Sequence, residues 1–169
     1  MRVAPIRHIS RLRLSMHHGT PENLQDCLIT CRRFQATDPR DEIFALLGIS
    51  SDAGTAAPNP DYRESVIVVF IAYARYLLLK GSPLVLHAAS IPTSRHRTEF
   101  PSWVPDWSSS DTIEPFGYLE RAEYQAARTT AFHVQAGPSP NSITLEVHEV
   151  DYVKELFPPG PHGQPYDDF

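Results

Sequence analysis

Apolar residues recur at helical spacing in three stretches of the chain and change to strand-like alternation toward its end. From Pro21 to Phe34, Leu24, Cys27, Leu28 and Cys31 fall three and four residues apart, the period of a helix with one buried face. Thr20 ahead of Pro21 offers an N-cap followed by a residue with no amide proton to lose, so a helix is predicted from about Pro21 to Arg33. In ATDPRDEIFALLGI, Asp38 is placed to cap a second helix and Pro39 fits its first turn. Asp41 and Glu42 put negative charge where the helix dipole is positive. Ile43, Leu46 and Leu47 make its apolar stripe, and Gly48 is expected to end it in the left-handed conformation.

Ser50 to Pro60 is small, polar and proline-bearing, the composition of a loop. The longest apolar stretch follows, between Tyr62 and Lys80. Val66, Val69, Phe70, Tyr73 and Leu77 lie on one face, and Ile67, Ile71, Ala74 and Leu78 on another. Apolarity on most sides predicts a buried helix. A membrane span needs close to 20 uninterrupted apolar residues, and Arg63, Glu64 and Arg75 interrupt this one. Gly81, Ser82 and Pro83 end it, and Leu84 to Ala89 reads as a short strand or a helical turn.

After a polar loop around Arg95 and His96 comes FPSWVPDW, whose two prolines favour an extended path. Tyr118 to Arg128 is weakly helical. Thr130 to Gln135 and Ser142 to Val147 alternate in strand fashion around Gly137, Pro138, Ser139, Pro140 and Asn141, which predicts a hairpin. Val150, Val153 and Leu156 close the ordered part. The expected fold class is α+β and mainly helical, with three or so helices and a small C-terminal antiparallel β element. Residues 1–19 read as a flexible basic N-terminus, 20–157 as one ordered region, and 158–169 as a disordered tail. The ordered region divides into a helical part (20–90), a proline and tryptophan segment (91–117), and a helix with a hairpin (118–157).

Composition narrows the function classes. The 169 residues are 41% hydrophobic and 21% charged, as in a soluble globular domain. The formal charge of −5 gives no footprint for a phosphate backbone, so nucleic acid is not an expected partner. Two cysteines, Cys27 and Cys31, are too few and too close for a secreted disulfide framework. Arginine or histidine recurs through the first twenty residues where a signal peptide would be apolar. A cytoplasmic location with no membrane association is expected.

The order of motifs carries a resemblance. A leucine-bearing helix ends in an arginine pair, then come ATDPRDEIFALLGI, DYRESV opening a long helix, FPSWVPDW, and a β segment ending LEVHEVDYV. This resembles the region that follows the signature core in fungal heterokaryon-incompatibility (HET) proteins, from roughly Leu24 to Leu156. The family's amino-terminal core, with its tyrosine, serine and tryptophan motif and its later cysteine-isoleucine-asparagine motif, is not in these residues. The family usually shows a glycine where this sequence has His148. The resemblance implies a setting of fungal nonself recognition, in which fusion of incompatible hyphae triggers programmed cell death. The partner it implies is another protein or the remainder of a HET protein.

Candidate chemistry meets a plainer account at each place. Cys27 and Cys31, one turn apart, with His17 and His18 upstream, match no standard zinc spacing and read as buried hydrophobes. Asp38, Arg40, Asp41 and Glu42 resemble an arginine clamp with carboxylates for a phosphate or sugar, but capping and the dipole already account for the acids. Arg40 is expected to reach Asp106 or a loop carbonyl. Trp103 and Trp107, flanked by Pro101 and Pro105, have the profile of interface anchors, or else clamp their segment onto the long helix. No nucleophile elbow, phosphate loop, dinucleotide fingerprint or HExxH motif occurs, and no catalytic residue, cofactor or metal is expected. The reading is a structural and partner-contact segment whose motif residues are Asp38, Pro39, Arg40, Asp41, Trp103, Pro105, Asp106 and Trp107. The alternative is a fragment of a nucleotide-cleaving or hydrolytic effector whose catalytic core lies elsewhere.

Overall fold

A computed structural model describes residues 4–32, 34–89, 100–109 and 132–147, with side chains from residue 9 onward. Among these residues five helices and one two-stranded sheet form: α1 (Ala4–His17), α2 (Leu24–Thr30), α3 (Asp41–Leu47), α4 (Val66–Leu79), α5 (Leu84–Ala88), β1 (Val134–Ala136) and β2 (Ile143–Leu145). The mainly helical α+β class with a C-terminal antiparallel element is therefore the observed one. The expected helix at Tyr118 to Arg128, the segment beyond Val150 and the 158–169 tail lie outside the described residues.

The long helix organises the core. Val69, Phe70, Tyr73, Ala74, Leu77 and Leu78 of α4 are buried and share one cluster with Leu24 and Leu28 of α2, Ile43, Phe44 and Leu47 of α3, Val85 of α5, and Val104 and Trp107. A fully buried side chain such as Phe70 contributes about 1.5–3 kcal/mol relative to an exposed one. The helix starts at Val66, four residues later than Tyr62, because side chains hold the approach open. Asp61 Oδ1 accepts the Arg63 amide at 2.9 Å, and Ser65 caps by accepting the Val68 amide. At the other end Gly81 takes φ +89°, Gly81 N–H donates to Leu78 O, and Ser82 N–H donates to Leu77 O. These two bonds close a left-handed Schellman turn.

Two predicted boundaries move for the same reason. Helix α2 is capped by Asn23, whose side chain accepts the Asp26 amide at 2.9 Å, and not by Thr20. The Thr20 amide donates instead to Ser15 O, finishing α1 around Gly19 at φ +71°. The basic N-terminus, expected to be flexible, is thus helical over Ala4–His17. Leu12 is its reason to fold against the body, since it packs on Cys27 and Cys31 in a second, smaller cluster edged by Phe34, Leu46 and Ile49.

Gly48 is right-handed at φ −62°, contrary to expectation. The chain does not reverse there but continues in turns, with Ile49 N–H donating to Leu46 O and Ser50 N–H to Leu47 O. The left-handed position comes later, at Gly54. The Leu84 to Ala89 stretch is helical.

The hairpin pairs Val134 with Leu145, Gln135 with Thr144 and Ala136 with Ile143. β2 lies within the predicted second strand, whereas β1 overlaps the first and runs one residue past Gln135, to Ala136; Thr130 and Ala131 fall outside the described residues. Val134 and Ile143 turn toward the main core.

Candidate functional site

The ATDPRD motif folds into a junction between α3 and the approach to α4. Asp38 Oδ1 accepts the Arg40 amide at 3.0 Å, the cap-to-N2 bond expected when Pro39 begins the turn. The α-helical ladder itself begins at Asp41, with Arg40 flanking it and making no side-chain cap. Arg40 then gathers its surroundings. Its Nε donates to Asp38 Oδ1 at 2.9 Å and its Nη2 to Asp38 Oδ2 at 2.6 Å. Its Nη1 donates to the carbonyls of Tyr62 at 2.7 Å and Glu64 at 2.8 Å. The guanidinium also lies 5.3 Å from the Tyr62 ring centroid, and the Tyr62 hydroxyl donates to Asp41 Oδ1. The Tyr62 ring also meets Phe44 edge-on at 5.0 Å.

The electrostatics follow from these contacts. Hydrogen bonds from Arg40 hold the Asp38 carboxyl below the ordinary range, and the same bonds hold the Arg40 guanidinium to its proton more tightly. The bond to Asp41 raises Tyr62. Burial raises Glu42, partly offset by the Ala36 amide, which donates to Glu42 Oε1 at 2.6 Å. Asp38, Arg40 and Glu42 therefore bond to neighbouring backbone and, for the first two, to each other, while Asp41 bonds to the Tyr62 hydroxyl. Such a set locks one helix to the next and leaves no converging cluster of donors for a phosphate.

Arg40 takes the loop-carbonyl course and not the one to Asp106. Asp106 instead accepts from the Ser108 amide at 3.1 Å and the Ser108 hydroxyl at 2.6 Å. Arg32, at the end of α2, is the cation facing this region. Burial lowers its proton affinity, while Asp106 and Glu42 favour its charge.

The PSWVPDW strap lies on α4. Phe70 receives Trp107 edge-on at 5.2 Å and Phe100 in a stacked arrangement at 5.8 Å. Val104, Pro105 and Trp107 are buried. Trp103 is half-buried, and its indole Nε1 donates to Asn141 O at 3.0 Å, in the hairpin loop. The two tryptophans therefore do different things: Trp107 fills the core and Trp103 ties the strap to the hairpin.

Two polar centres went unpredicted. Asp52, in the stretch read as loop, is fully buried. Its Oδ2 accepts the Leu24 amide at the start of α2 at 2.8 Å, and its Oδ1 accepts from Tyr76 and Lys80 of α4. Burial pushes this carboxyl up, but the bonds from Lys80, Tyr76 and Leu24 outweigh it, and the group sits below its ordinary value. Arg75 is the second. Its Nη2 meets the carbonyls of Ser139, Pro140 and Ser142, clamping the hairpin loop to α4.

Cys27 and Cys31 are free and buried. Burial first, and then the Glu22 carboxylate, raise their thiols to about 12 and about 11, so neither is a thiolate at neutral pH. Among the described residues no group of three or more His, Cys, Asp or Glu side chains is arranged to hold a metal ion, and no helix is long and apolar enough to cross a membrane.

No protein-family model matches the chain, and no solved structure matches it. The chain is similar to heterokaryon incompatibility protein 6, OR allele, of Neurospora crassa, at 31% identity over 85 residues. That similarity covers 43% of this chain and 12% of the relative's length, so it links the chain to heterokaryon incompatibility in general terms.

Proposed function

We propose that this chain is a structural and protein-contact segment of a fungal heterokaryon-incompatibility protein, acting in nonself recognition that leads to programmed cell death, and without catalytic activity of its own. The observation that supports the reading most is the use of its motif residues. Asp38, Arg40 and Asp41 close the junction between α3 and the approach to α4, and Trp103, Pro105 and Trp107 fasten the strap to α4 and the hairpin, each set bonded to or packed on its neighbours. Residues spent on packing make a rigid platform, and a platform serves recognition by presenting a fixed surface. The similarity to the Neurospora crassa protein supplies the biological setting.

The test is genetic. Deleting the coding region in its host and pairing the deletant with incompatible strains reads out heterokaryon viability and hyphal death. Loss or weakening of incompatibility is the expected result, and Trp107→Ala at the native locus reproduces it. Unchanged cell death in both would overturn the reading. Incubating the purified chain with a nicotinamide dinucleotide and following nicotinamide release tests the absence of catalysis, for which no turnover is expected.

A further inference from the structure

The satellite cluster around the two cysteines meets the main core at Leu46, and on its other side lies α1, whose described side chains reach it through Leu12. Among the described side chains of α1, Leu12 alone is buried, while Ile9, Leu14 and Met16 stay exposed. The polar ties of α1 to α2 lie at the surface. Arg11 is 3.2 Å from the Glu22 carboxylate and 3.4 Å from the Thr30 hydroxyl, with more than half of its side chain open to solvent. Surface pairs of this kind contribute little. The chain leaves α1 through Gly19 at φ +71°, and it is anchored again at Glu22, whose carbonyl accepts the Ser51 amide at 2.8 Å. Gly19 and Thr20 are bonded back onto α1 through Met16 O and Ser15 O, so the link between α1 and the body is Pro21.

Under Leu12 lie Cys27 and Cys31, one helical turn apart on the same face of α2. The residues that stabilise α2 against α3 and α4, namely Leu24 and Leu28, belong to the other cluster. Leu12 is the α1 side chain that packs on the thiols, beside Phe34, Leu46 and Ile49, which belong to the body.

We propose that Cys27 and Cys31 form a conditional thiol-modification site gated by α1, which detaches about Pro21 and presents the pair to soft carbon electrophiles while α2 to α4 stay folded. With α1 in place the thiols keep their protons and are covered. With α1 away they are solvated, and both return toward ordinary thiol acidity. A thiolate sulfur then attacks the reagent's carbon, an S–C bond forms as the leaving group departs, and the thiol proton passes to solvent. This inference does not depend on the proposed role in incompatibility.

Native-state alkylation tests it. The full chain is held with iodoacetamide in 0 to 2 M urea, adducts are counted by mass spectrometry, and global unfolding is followed in parallel by tryptophan fluorescence. The expected result is labelling of both cysteines at least about tenfold faster than global unfolding permits, with a rate nearly independent of urea, the signature of a local opening. Leu12→Ala raises that rate a further tenfold or so, since a buried leucine has been truncated, and shifts the fluorescence transition far less. Labelling that rises with urea along the global unfolding curve overturns the proposal. So does a Leu12→Ala effect no larger than its change in global stability. If that variant does not fold, the urea dependence of the wild-type chain decides alone.

Discussion

One carboxylate oxygen of Asp52 accepts the backbone amide of Leu24 at 2.8 Å, across 28 residues of sequence and inside the protein. The bond places a negative charge at the positive end of α2, and the other oxygen holds Tyr76 and Lys80 of α4. A single side chain thus fixes the distance between two helices. Asp52→Ala leaves the Leu24 amide, the Tyr76 hydroxyl and an ammonium without their acceptor, and it is expected to lower unfolding free energy by about 2–4 kcal/mol. Asp52→Asn, which keeps an acceptor for the amide, is expected to lose less. Urea denaturation of the three proteins checks the order.

The same group makes stability depend on pH at both ends of the scale. Asp52 has a lowered affinity for its proton in the folded chain despite its burial, so its contribution is complete above the ordinary aspartate value of 3.8 and is lost as pH falls below it. Asp38, and Asp61, which its bonds to Arg63 hold at about 2, act in the same direction. Glu42, raised by burial, opposes them in part. Burial works against the charge of Lys80, but the bond to Asp52 prevails and raises it. Its contribution is therefore present below 10.5 and fades above that value. Thermal midpoints measured from pH 2 to 11 should show a plateau that falls off at each end. Asp52→Asn should flatten the acid limb; an unchanged limb would show that the other carboxylates account for it.

What the sequence disclosed and what it hid differ by range. The positions of α2, α3 and α4 and of the hairpin were legible because apolar period and turn residues are decided within a few positions. Which residue caps which helix was less so: Thr20 and Asn23 both qualify, and the outcome depends on Gly19 first closing α1. Helix α1 was obscured by arginines and histidines spread through its apolar positions, although Ile9, Leu12 and Met16 keep helical spacing. Asp52 was invisible for another reason. Its partners stand 24 and 28 residues away, and its neighbours are the small polar residues of a loop. Arg75 showed only as an interruption of an apolar run, since nothing local announces that a hairpin some 65 residues later will bring carbonyls to it.

Asp38 offers the sharpest test of the local reading. Its carboxylate accepts both the Arg40 amide and the Arg40 guanidinium, so Asp38→Ala removes a cap and releases the side chain that holds Tyr62 O and Glu64 O. The thermal midpoint should fall. Asp38→Asn keeps the cap and loses only the ion pair, so its midpoint should lie between the two. Equal midpoints for wild type and Asp38→Ala would show that Pro39 alone directs the chain into α3.

The two tryptophans should separate cleanly. Trp107→Ala empties a buried site against Phe70 and is expected to cost about 3–5 kcal/mol. Trp103→Phe keeps an aromatic ring and loses the bond to Asn141 O, which is worth about 1 kcal/mol. Chemical denaturation gives both numbers. The hairpin amides in Trp103→Phe should also exchange faster with solvent while those of α4 do not.

Gly137 tests how tightly the hairpin loop is built. A Cβ at this position would lie 2.3 Å from Ser142 Oγ and 2.7 Å from both the carbonyl carbon and the oxygen of Ser142. The side chain can rotate away, but the backbone cannot, because Gly137 N–H donates to Ser142 O and Arg75 is aimed at the same carbonyl. Gly137→Ala should therefore disrupt β1 and β2 while leaving the α2–α4 core in place. Removing the hydroxyl with Ser142→Ala should not restore the pairing. Hydrogen exchange at Val134 to Ala136 and Ile143 to Leu145 reports this directly, and recovery of protection in the double variant would mean that the Ser142 side chain, and not its backbone, sets the close approach.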